Sequence, residues 1–188
     1  MGKVIVSTQM TVDGVIDQPD GWFMAESEPE EHGFDQLGAA DALLLGRKTY
    51  EGLAAVWPTI TDTQGFADRM NGLPKFVASK TLDEPLRWNA TLIRGDPADR
   101  VPVLKRQHSG NLLCYGCGEL AYYLARHGLA DEIRFWVHPF VWGSGARPFH
   151  GEQVSLRLTS TTVFRSGVTL LCYQPTTVVP RDLSGRLT

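Results

Sequence analysis

The residues best suited to chemistry follow three consecutive leucines, residues 43–45. An apolar run without intervening polar residues is typical of a parallel strand that is buried on both faces. Gly46 comes next, and a glycine lets the backbone turn tightly and approach a ligand closely. Arg47, Lys48 and Thr49 then open a helical pattern, where the free N–H groups of a helix N-terminus favour an anion. The stretch predicts a phosphate site, and an ordinary strand-to-helix turn with solvated cations stays open as the alternative.

Further polar or glycine-containing turns follow other short apolar runs. Ser79 and Lys80 follow one run, Gly95 follows a second, and the Gly-Cys-Gly-Glu stretch of residues 116–119 follows a third. In open α/β sheets, ligands bind at the edge formed by the carboxyl ends of the strands. The sequence therefore predicts that these turns and the phosphate turn lie along one ligand-binding edge.

Composition limits the classes of function. The chain has 188 residues, of which 43% are hydrophobic, which suits one domain with a substantial core. A net charge of −3 argues against a general nucleic-acid binder, which needs a basic face. No apolar run has the length of a membrane span, the first residues lack a secretory signal pattern, and the 3 cysteines are too few for a disulfide framework. We therefore expect a cytoplasmic protein with no nucleic-acid or membrane partner.

Strand and helix patterns alternate along most of the chain. This order predicts an α/β fold with a mostly parallel sheet, flanking helices and an antiparallel hairpin near the C-terminus. A helix is expected over residues 97–107, with Pro102 breaking or kinking it. The folded domain is predicted to cover residues 1–174, and the aperiodic residues 175–188 are predicted to be a disordered tail.

Four stretches carry a resemblance to a known family. They are Thr-Val-Asp-Gly-Val-Ile at 11–16, Leu-Gly-Arg-Lys-Thr-Tyr at 45–50, Tyr-Gly-Cys-Gly-Glu-Leu at 115–120, and the glycine-bearing stretch 139–149. In this order they resemble the dihydrofolate reductase-like fold, and in particular its RibD C-terminal-domain-like reductases of the riboflavin-reductase branch. The resemblance spans roughly residues 3–174.

The resemblance implies an NADPH-dependent reductase, and the riboflavin-reductase branch implies a homodimer. It implies that residues 47–49 hold cofactor phosphates, that residues 79–80 meet the 2′-phosphate of NADP, and that residues 116–120 cradle the pyrophosphate. Gln9 and Ile16 would lie near the nicotinamide. The complete set assigned to NADP(H) is Gln9, Ile16, Gly46, Arg47, Lys48, Thr49, Ser79, Lys80, Gly95, Gly116, Cys117, Gly118, Glu119 and Leu120.

Several residues admit both a functional and a structural interpretation. Asp13 is a candidate for binding a polar group of the substrate, although we favour its role as the first half of an Asp-Gly turn. Trp22 is a candidate wall of the substrate pocket or an ordinary core residue. We interpret Cys117 as a small spacer rather than a redox residue, and His138 as a strand-end residue rather than a general acid. No spacing of histidines, cysteines and acids predicts a metal site.

The function that these observations favour is NADPH-dependent reduction of a small heterocycle of pterin or pyrimidine type. A true dihydrofolate reductase is the first alternative, and it would need an acid on the helix after the first loop. The candidate acids are Glu26, Glu28, Glu30, Glu31 and Asp35, without a Leu-Pro-x-acid pattern. A non-catalytic NADP(H)-binding module is the second alternative. The zinc pattern of the riboflavin deaminase, His-x-Glu with Pro-Cys-x-x-Cys, is absent from the sequence, and neither the pathway nor the substrate follows from it.

Overall fold

The computed structural model describes residues 1–24, 27–62, 65–151 and 153–176, without the side chains of residues 27–31 and 151. The strands are β1 (Val4–Thr11), β2 (Ala40–Gly46), β3 (Lys75–Ala78), β4 (Ala90–Ile93), β5 (Asn111–Tyr115), β6 (Glu132–His138), β7 (Ser155–Val163) and β8 (Thr169–Thr176). The helices are α1 (Ser27–Gly38), α2 (Arg47–Val56), α3 (Phe66–Gly72), α4 (Pro97–Gln107) and α5 (Glu119–Arg126).

All eight strands form one sheet in the order β4-β3-β2-β5-β1-β6-β8-β7. The neighbouring strands from β4 to β6 are parallel, whereas β8 is antiparallel to both β6 and β7. The mostly parallel sheet with an antiparallel C-terminal hairpin confirms the fold class predicted from the alternation of strand and helix patterns.

The leucines at 43–45 lie in β2, between β3 and β5, and are fully buried. Alternate residues of a strand point to opposite faces, so a strand covered on both faces must be apolar at every position. On one face, Leu44 packs in a core with α4 and α5, and on the other, Leu43 and Leu45 pack with α1, α2 and α3. The consecutive leucines are thus explained by helices on both faces of the sheet.

The side chains of β1 also alternate between the two faces of the sheet. Val4 and Val6 belong to the core on the α4 and α5 face, and Ile5 belongs to the core on the α1, α2 and α3 face. Ser7 and Gln9 share the face of Ile5 because they follow it at intervals of two. Gln9 is therefore directed to the side of the sheet that α1, α2 and α3 cover.

The predicted helix over residues 97–107 is confirmed as α4, with Pro102 inside it. One boundary differs from the sequence-based expectation. Pro175 and Thr176 belong to β8, where they pair with Leu156 and Ser155, so the folded domain extends two residues beyond the expected end at 174. The remainder of the predicted tail, residues 177–188, lies outside the described residues. Within the part of the chain that is described, no helix combines the length and apolar character that crossing a bilayer requires.

Candidate functional site

The predicted ligand-binding turns lie along one edge of the sheet. Strands β3, β2 and β5 are consecutive neighbours and run parallel. The turns that follow them, at residues 79–80, 46–49 and 116–119, are therefore adjacent at the carboxyl ends of these strands. We call these three turns the phosphate edge. Their alignment confirms the predicted common edge.

The backbone of the first turn does not have the glycine-specific conformation that the sequence predicts at Gly46. Gly46 is the N-cap of α2 with φ −78° and ψ 162°, an extended conformation that any residue adopts, so the expected tight glycine turn is wrong. Arg47 is the first residue of the helix, and its Nη1 lies 3.2 Å from Glu51 Oε2 on an exposed surface. Lys48 is exposed as well. The turn thus presents two accessible cations at a helix N-terminus, where they oppose the macrodipole unless an anion is present.

The second turn is the one that requires glycine. Gly116 has φ +84°, and a Cβ placed on it would lie 3.0 Å from Thr49 Oγ1. A side chain at Gly116 would therefore combine a strained backbone with a close contact to the first turn. The two glycine turns are close enough for one elongated anion to contact both.

Cys117 offers its backbone rather than its thiol to this edge. Its side chain is 1% exposed in the core beside Cys114, and burial strongly raises the pKa of the thiol. The Phe149 N–H donates to the Cys117 carbonyl at 2.7 Å. Burial without a nearby cation is the environment of an inert cysteine.

The remaining residues of the second turn have two roles: residues 118 and 119 begin α5, and Leu120 packs against the core. Gly118 is the N-cap of α5 at φ −92°, and a Cβ on it would lie 3.6 Å from His150 Nε2. Glu119 is the exposed first residue of α5, whereas Leu120 packs against the core. His150 is a side chain beside this turn that sequence reasoning missed, although it directly follows the glycine-bearing stretch.

The turn after β3 is internally hydrogen-bonded, and the turn after β4 extends the edge by one strand. Ser79 Oγ accepts hydrogen bonds from the Thr81 and Leu82 N–H groups, each at 3.1 Å, which orders the turn. Lys80 is exposed. Gly95 has φ +80°, and a Cβ on it would meet no atom within 4 Å, so the backbone there faces open space.

Asp13 joins the loop after β1 to the loop after β6. Its carboxylate accepts from Thr11 Oγ1 at 2.6 Å, from the Trp142 N–H at 3.0 Å and from the Gly143 N–H at 2.8 Å. These bonds hold the pKa of Asp13 far below its usual range, with the Thr11 hydroxyl as the largest cause. Ile16 lies in the same junction, since its N–H donates to the Ala146 carbonyl at 3.0 Å. This geometry gives Asp13 a structural role.

A cavity of about 820 Å³ lies between the sheet and helices α1, α2 and α3. Its aromatic lining consists of Phe23, Phe34, Trp57, Phe66, Tyr115 and Trp136. Its polar lining consists of Gln9, Asp35, Gln36, Asp62 and His138. Flat aromatic walls with a few polar groups are suited to a planar, partly polar ring.

Of the predicted site residues, Gln9 lines the cavity, whereas the two substrate-pocket candidates, Trp22 and Asp13, do not. Trp22 is 2% exposed and packs edge-on behind His138, with ring centroids 5.4 Å apart, while Phe23 and Met24 form the wall itself. Asp13 does not line the cavity either. Trp22 therefore supports the pocket from behind.

His138 is the last residue of β6, as expected of a strand-end histidine, and its ring also lines the cavity. Burial lowers its pKa. Tyr115, at the end of β5, has its pKa raised to about 12 by burial, so it stays protonated at neutral pH. Sequence reasoning missed Tyr115 and Gln36 as cavity residues. The available signal was position, because Tyr115 directly precedes the second glycine turn.

Metal chemistry finds no support in the described residues. Among residues 1–24, 27–62, 65–151 and 153–176, no group of three or more histidine, cysteine or acidic side chains could hold an ion. Cys114 and Cys117, the two cysteines closest in sequence, both belong to the core.

The chain is similar to known proteins in both sequence and fold. The sequence profile of the RibD C-terminal domain family matches residues 2–170. The uncharacterized Bacillus subtilis (strain 168) protein YyaP is 27% identical over 179 residues, which cover 91% of this chain and 94% of that protein. The crystal structure of a putative riboflavin biosynthesis protein from Shewanella sp. PV-4 superposes with TM-score 0.71 at 20% identity, over 93% of this chain and 99% of that one. Dihydrofolate reductase from Enterococcus faecalis, complexed with NADP(H), superposes with TM-score 0.59 at 13% identity, over 93% and 96%.

Proposed function

The chain belongs to the RibD C-terminal domain family, and on that premise we propose that it is an NADPH-dependent reductase of a small, flat heterocycle. The observation that carries the proposal is the junction between Tyr115 and Gly116. Tyr115 lines the aromatic cavity, and Gly116 opens the second glycine turn of the phosphate edge. A dinucleotide bound along the edge would bring its reactive end to the mouth of the cavity.

The phosphate edge would hold the cofactor through charge and backbone. Arg47 and Lys48 provide cations beside the N-terminus of α2, and Gly116 and Gly118 would present backbone without a side chain to a pyrophosphate. Ser79 and Lys80, one strand further along the sheet, would meet the 2′-phosphate that distinguishes NADP from NAD. NADPH, when bound, supplies the hydride.

The cavity would bind and orient the substrate. Its aromatic side chains would stack on a planar ring and exclude water from the reacting face. Gln9 lies in the cavity and near the carboxyl end of β1, which is the position expected for the nicotinamide. Holding both rings in a fixed relative orientation is the contribution of the protein to hydride transfer.

A second candidate, dihydrofolate reduction, is favoured by one observation. Asp35 on α1 lines the cavity, and an acid on this helix is the feature that a folate reductase requires. Asp35 is exposed, so its charge is screened by solvent. It is nevertheless the described acid of α1 that could face a protonated pterin.

The test is NADPH oxidation by the purified protein with a panel of pyrimidine and pteridine substrates, including dihydrofolate. We expect turnover of at least one pyrimidine or non-folate pteridine. Turnover of dihydrofolate alone would select the second candidate, and tight NADPH binding without any turnover would indicate a non-catalytic binding module.

Cofactor preference is measured separately by fluorescence titration. We expect NADPH to bind much more tightly than NADH because Ser79 and Lys80 would contact only the phosphorylated ribose. Equal dissociation constants for the two cofactors would remove the 2′-phosphate site from the proposal.

A further inference from the structure

The imidazole of His138 is held between two partners in the cavity wall. His138 is 1% exposed, its Nδ1 lies 3.2 Å from the Met24 backbone nitrogen, and its Nε2 lies 2.7 Å from Gln9 Oε1. A backbone N–H can only donate, so Nδ1 must accept the bond from Met24. The proton of a neutral imidazole then resides on Nε2 and is donated to Gln9. The Met24 backbone thus selects the tautomer of His138.

This tautomer in turn orients the Gln9 amide. The carbonyl oxygen of Gln9 accepts from His138, so the NH₂ group occupies the other end of the amide. Gln9 lines the cavity and is half-buried there. The chain from Met24 through His138 therefore leaves a hydrogen-bond donor at this position.

We propose that Gln9 is a specificity-determining residue, held as a donor by His138, and that it selects ring edges presenting a carbonyl oxygen over edges presenting an amino group. The proposal deepens the proposed function, on which it rests for the identification of the cavity as the substrate site. His138 is a positioning residue in this arrangement, because it acts through Gln9.

A second chain of hydrogen bonds supports the same polarity. Arg134 Nη1 donates to Gln36 Oε1 at 3.2 Å, since a guanidinium cannot accept. Gln36 lines the cavity, and because its Oε1 accepts from Arg134, its NH₂ group occupies the other end of the amide. Gln36 is therefore a second amide of the cavity wall whose donor end is left for a ligand.

An amino group opposite these donors would be unfavourable. Two N–H groups facing each other leave both without an acceptor in a partly dry pocket, and a site built to hydrogen-bond one edge discriminates strongly against the wrong one. A carbonyl at the same position satisfies the donor. Discrimination by one such exchange is about tenfold to a hundredfold in affinity.

The test uses two probes that differ in the substituent at C2, pteridine-2,4-dione with a carbonyl oxygen and a protonated N1, and 2-aminopteridin-4-one with an amino group and an unprotonated N1. Their affinities are measured without NADPH through quenching of tryptophan fluorescence, for which Trp57 and Trp136 in the cavity lining serve as reporters. We expect the dione to bind the wild type at least about tenfold more tightly than the amino compound. Equal affinities, or preference for the amino compound, would overturn the proposal.

Gln9→Glu is the matched variant, because a carboxylate still accepts from His138 but presents an oxygen where the NH₂ group was. We expect it to abolish or reverse the preference. Gln107→Glu, an exposed change at the end of α4 on the opposite face, controls for the added charge and should retain the wild-type ratio. An unchanged ratio in Gln9→Glu, accompanied by weakened NADPH binding, would assign the donor to the cofactor and overturn the proposal.

Gln36→Glu provides a second measurement if Gln9→Glu does not fold. It keeps an acceptor for Arg134 and replaces the NH₂ donor of Gln36 by an oxygen. We expect weaker binding of the dione and an unchanged thermal melt, and undiminished dione binding would contradict the second donor chain. Because both probes are measured without cofactor, an absence of NADPH turnover would refute the proposed reductase activity without altering these outcomes.

Discussion

The phosphate edge and the cavity lie side by side but are built in different ways. The phosphate edge consists of short contiguous turns, and its second turn offers mainly backbone, with Gly116 at φ +84° and the buried Cys117 turning its thiol into the core. The cavity depends on side chains that are distant in the chain. Gln9 and His138 are separated by 129 positions, and Met24 and His138 by 114. The edge is therefore specified locally, and the cavity only by the arrangement of the whole sheet.

This difference predicts different responses to substitution. A backbone-built site is sensitive to added atoms at its glycines and insensitive to the identity of side chains that point away. A site built from side chains is sensitive to hydrogen-bond polarity and protonation. The following predictions test this contrast, from the largest expected effect to the smallest.

Gly116→Val should have the largest effect, on folding and cofactor binding together. A β-branched residue at φ +84° is strained, and its Cβ would lie 3.0 Å from Thr49 Oγ1, so we expect a loss of roughly 3 kcal/mol in the free energy of unfolding. Chemical denaturation measures this loss, and titration should detect no NADPH binding. A wild-type melt with wild-type affinity would show that neither the backbone nor the approach of a ligand needs glycine here.

Gly118→Ala separates the two effects. Its φ of −92° is not left-handed, and the 3.6 Å distance from its added Cβ to His150 Nε2 is an ordinary van der Waals contact. We expect a nearly unchanged melt and weaker NADPH binding, because the new methyl group occupies space beside the helix N-terminus.

The phosphate edge could be predicted from the sequence because each of its turns is formed by residues that are close in the chain. The leucines at 43–45, α2 beginning at Arg47, and the alignment of three turns at one edge all follow from patterns within a few residues. Even there, the assignment of the tight turn to Gly46 was wrong, because an extended glycine and a left-handed one have the same letter in the sequence.

The cavity could not be predicted in the same way. The contact between His138 and Gln9 exists because β1 lies beside β6 in parallel, in a register that pairs Thr11 with His138. Nothing near either residue in the sequence indicates this register. The wall position of Phe23 and Met24, with Trp22 behind them, likewise depends on how one loop packs against β6.

Arg47→Ala should have the next largest effect, confined to ligand binding. A guanidinium that binds phosphate contributes roughly 1.5–3 kcal/mol, so we expect NADPH binding to weaken about tenfold to a hundredfold. Without ligand, loss of the exposed pair with Glu51 is offset by removal of a cation that opposes the α2 dipole, and both effects are below about 1 kcal/mol. Thermal melts with and without NADPH measure both quantities.

The control for this substitution is Arg106→Ala, which removes an exposed arginine from the last turn of α4, away from the carboxyl edge. It should leave the NADPH-induced shift in melting temperature intact. A lowered melt of ligand-free Arg47→Ala with an undiminished NADPH shift would instead assign Arg47 to the fold.

The cavity should respond to pH through His138. Burial lowers its pKa in the folded protein, so below the ordinary value of about 6.5 the unfolded chain binds more protons and the free energy of unfolding falls on acidification. The loss from this one group is at most about 1.4 kcal/mol per pH unit. Denaturation of wild type and His138→Asn between pH 7 and about 5 isolates it, because the variant keeps an acceptor for the Met24 N–H and does not titrate. Parallel pH profiles for the two proteins would contradict a buried neutral His138.

Cys117→Ala should have the smallest effect and tests the phosphate edge most directly. The thiol is 1% exposed and burial strongly raises its pKa, so it is neither accessible nor nucleophilic. Removing the sulfur leaves a small void in the core, for which we expect a loss of about 1 kcal/mol in the free energy of unfolding. NADPH affinity and turnover should equal those of the wild type, since the ligand would meet only the backbone of this residue, and a thiol reagent should not label Cys117 in the native protein. Loss of NADPH binding in a variant that melts close to the wild type would mean that the Cys117 side chain contributes to the turn. It would contradict the contrast between a turn that binds through its backbone and a cavity built from side chains.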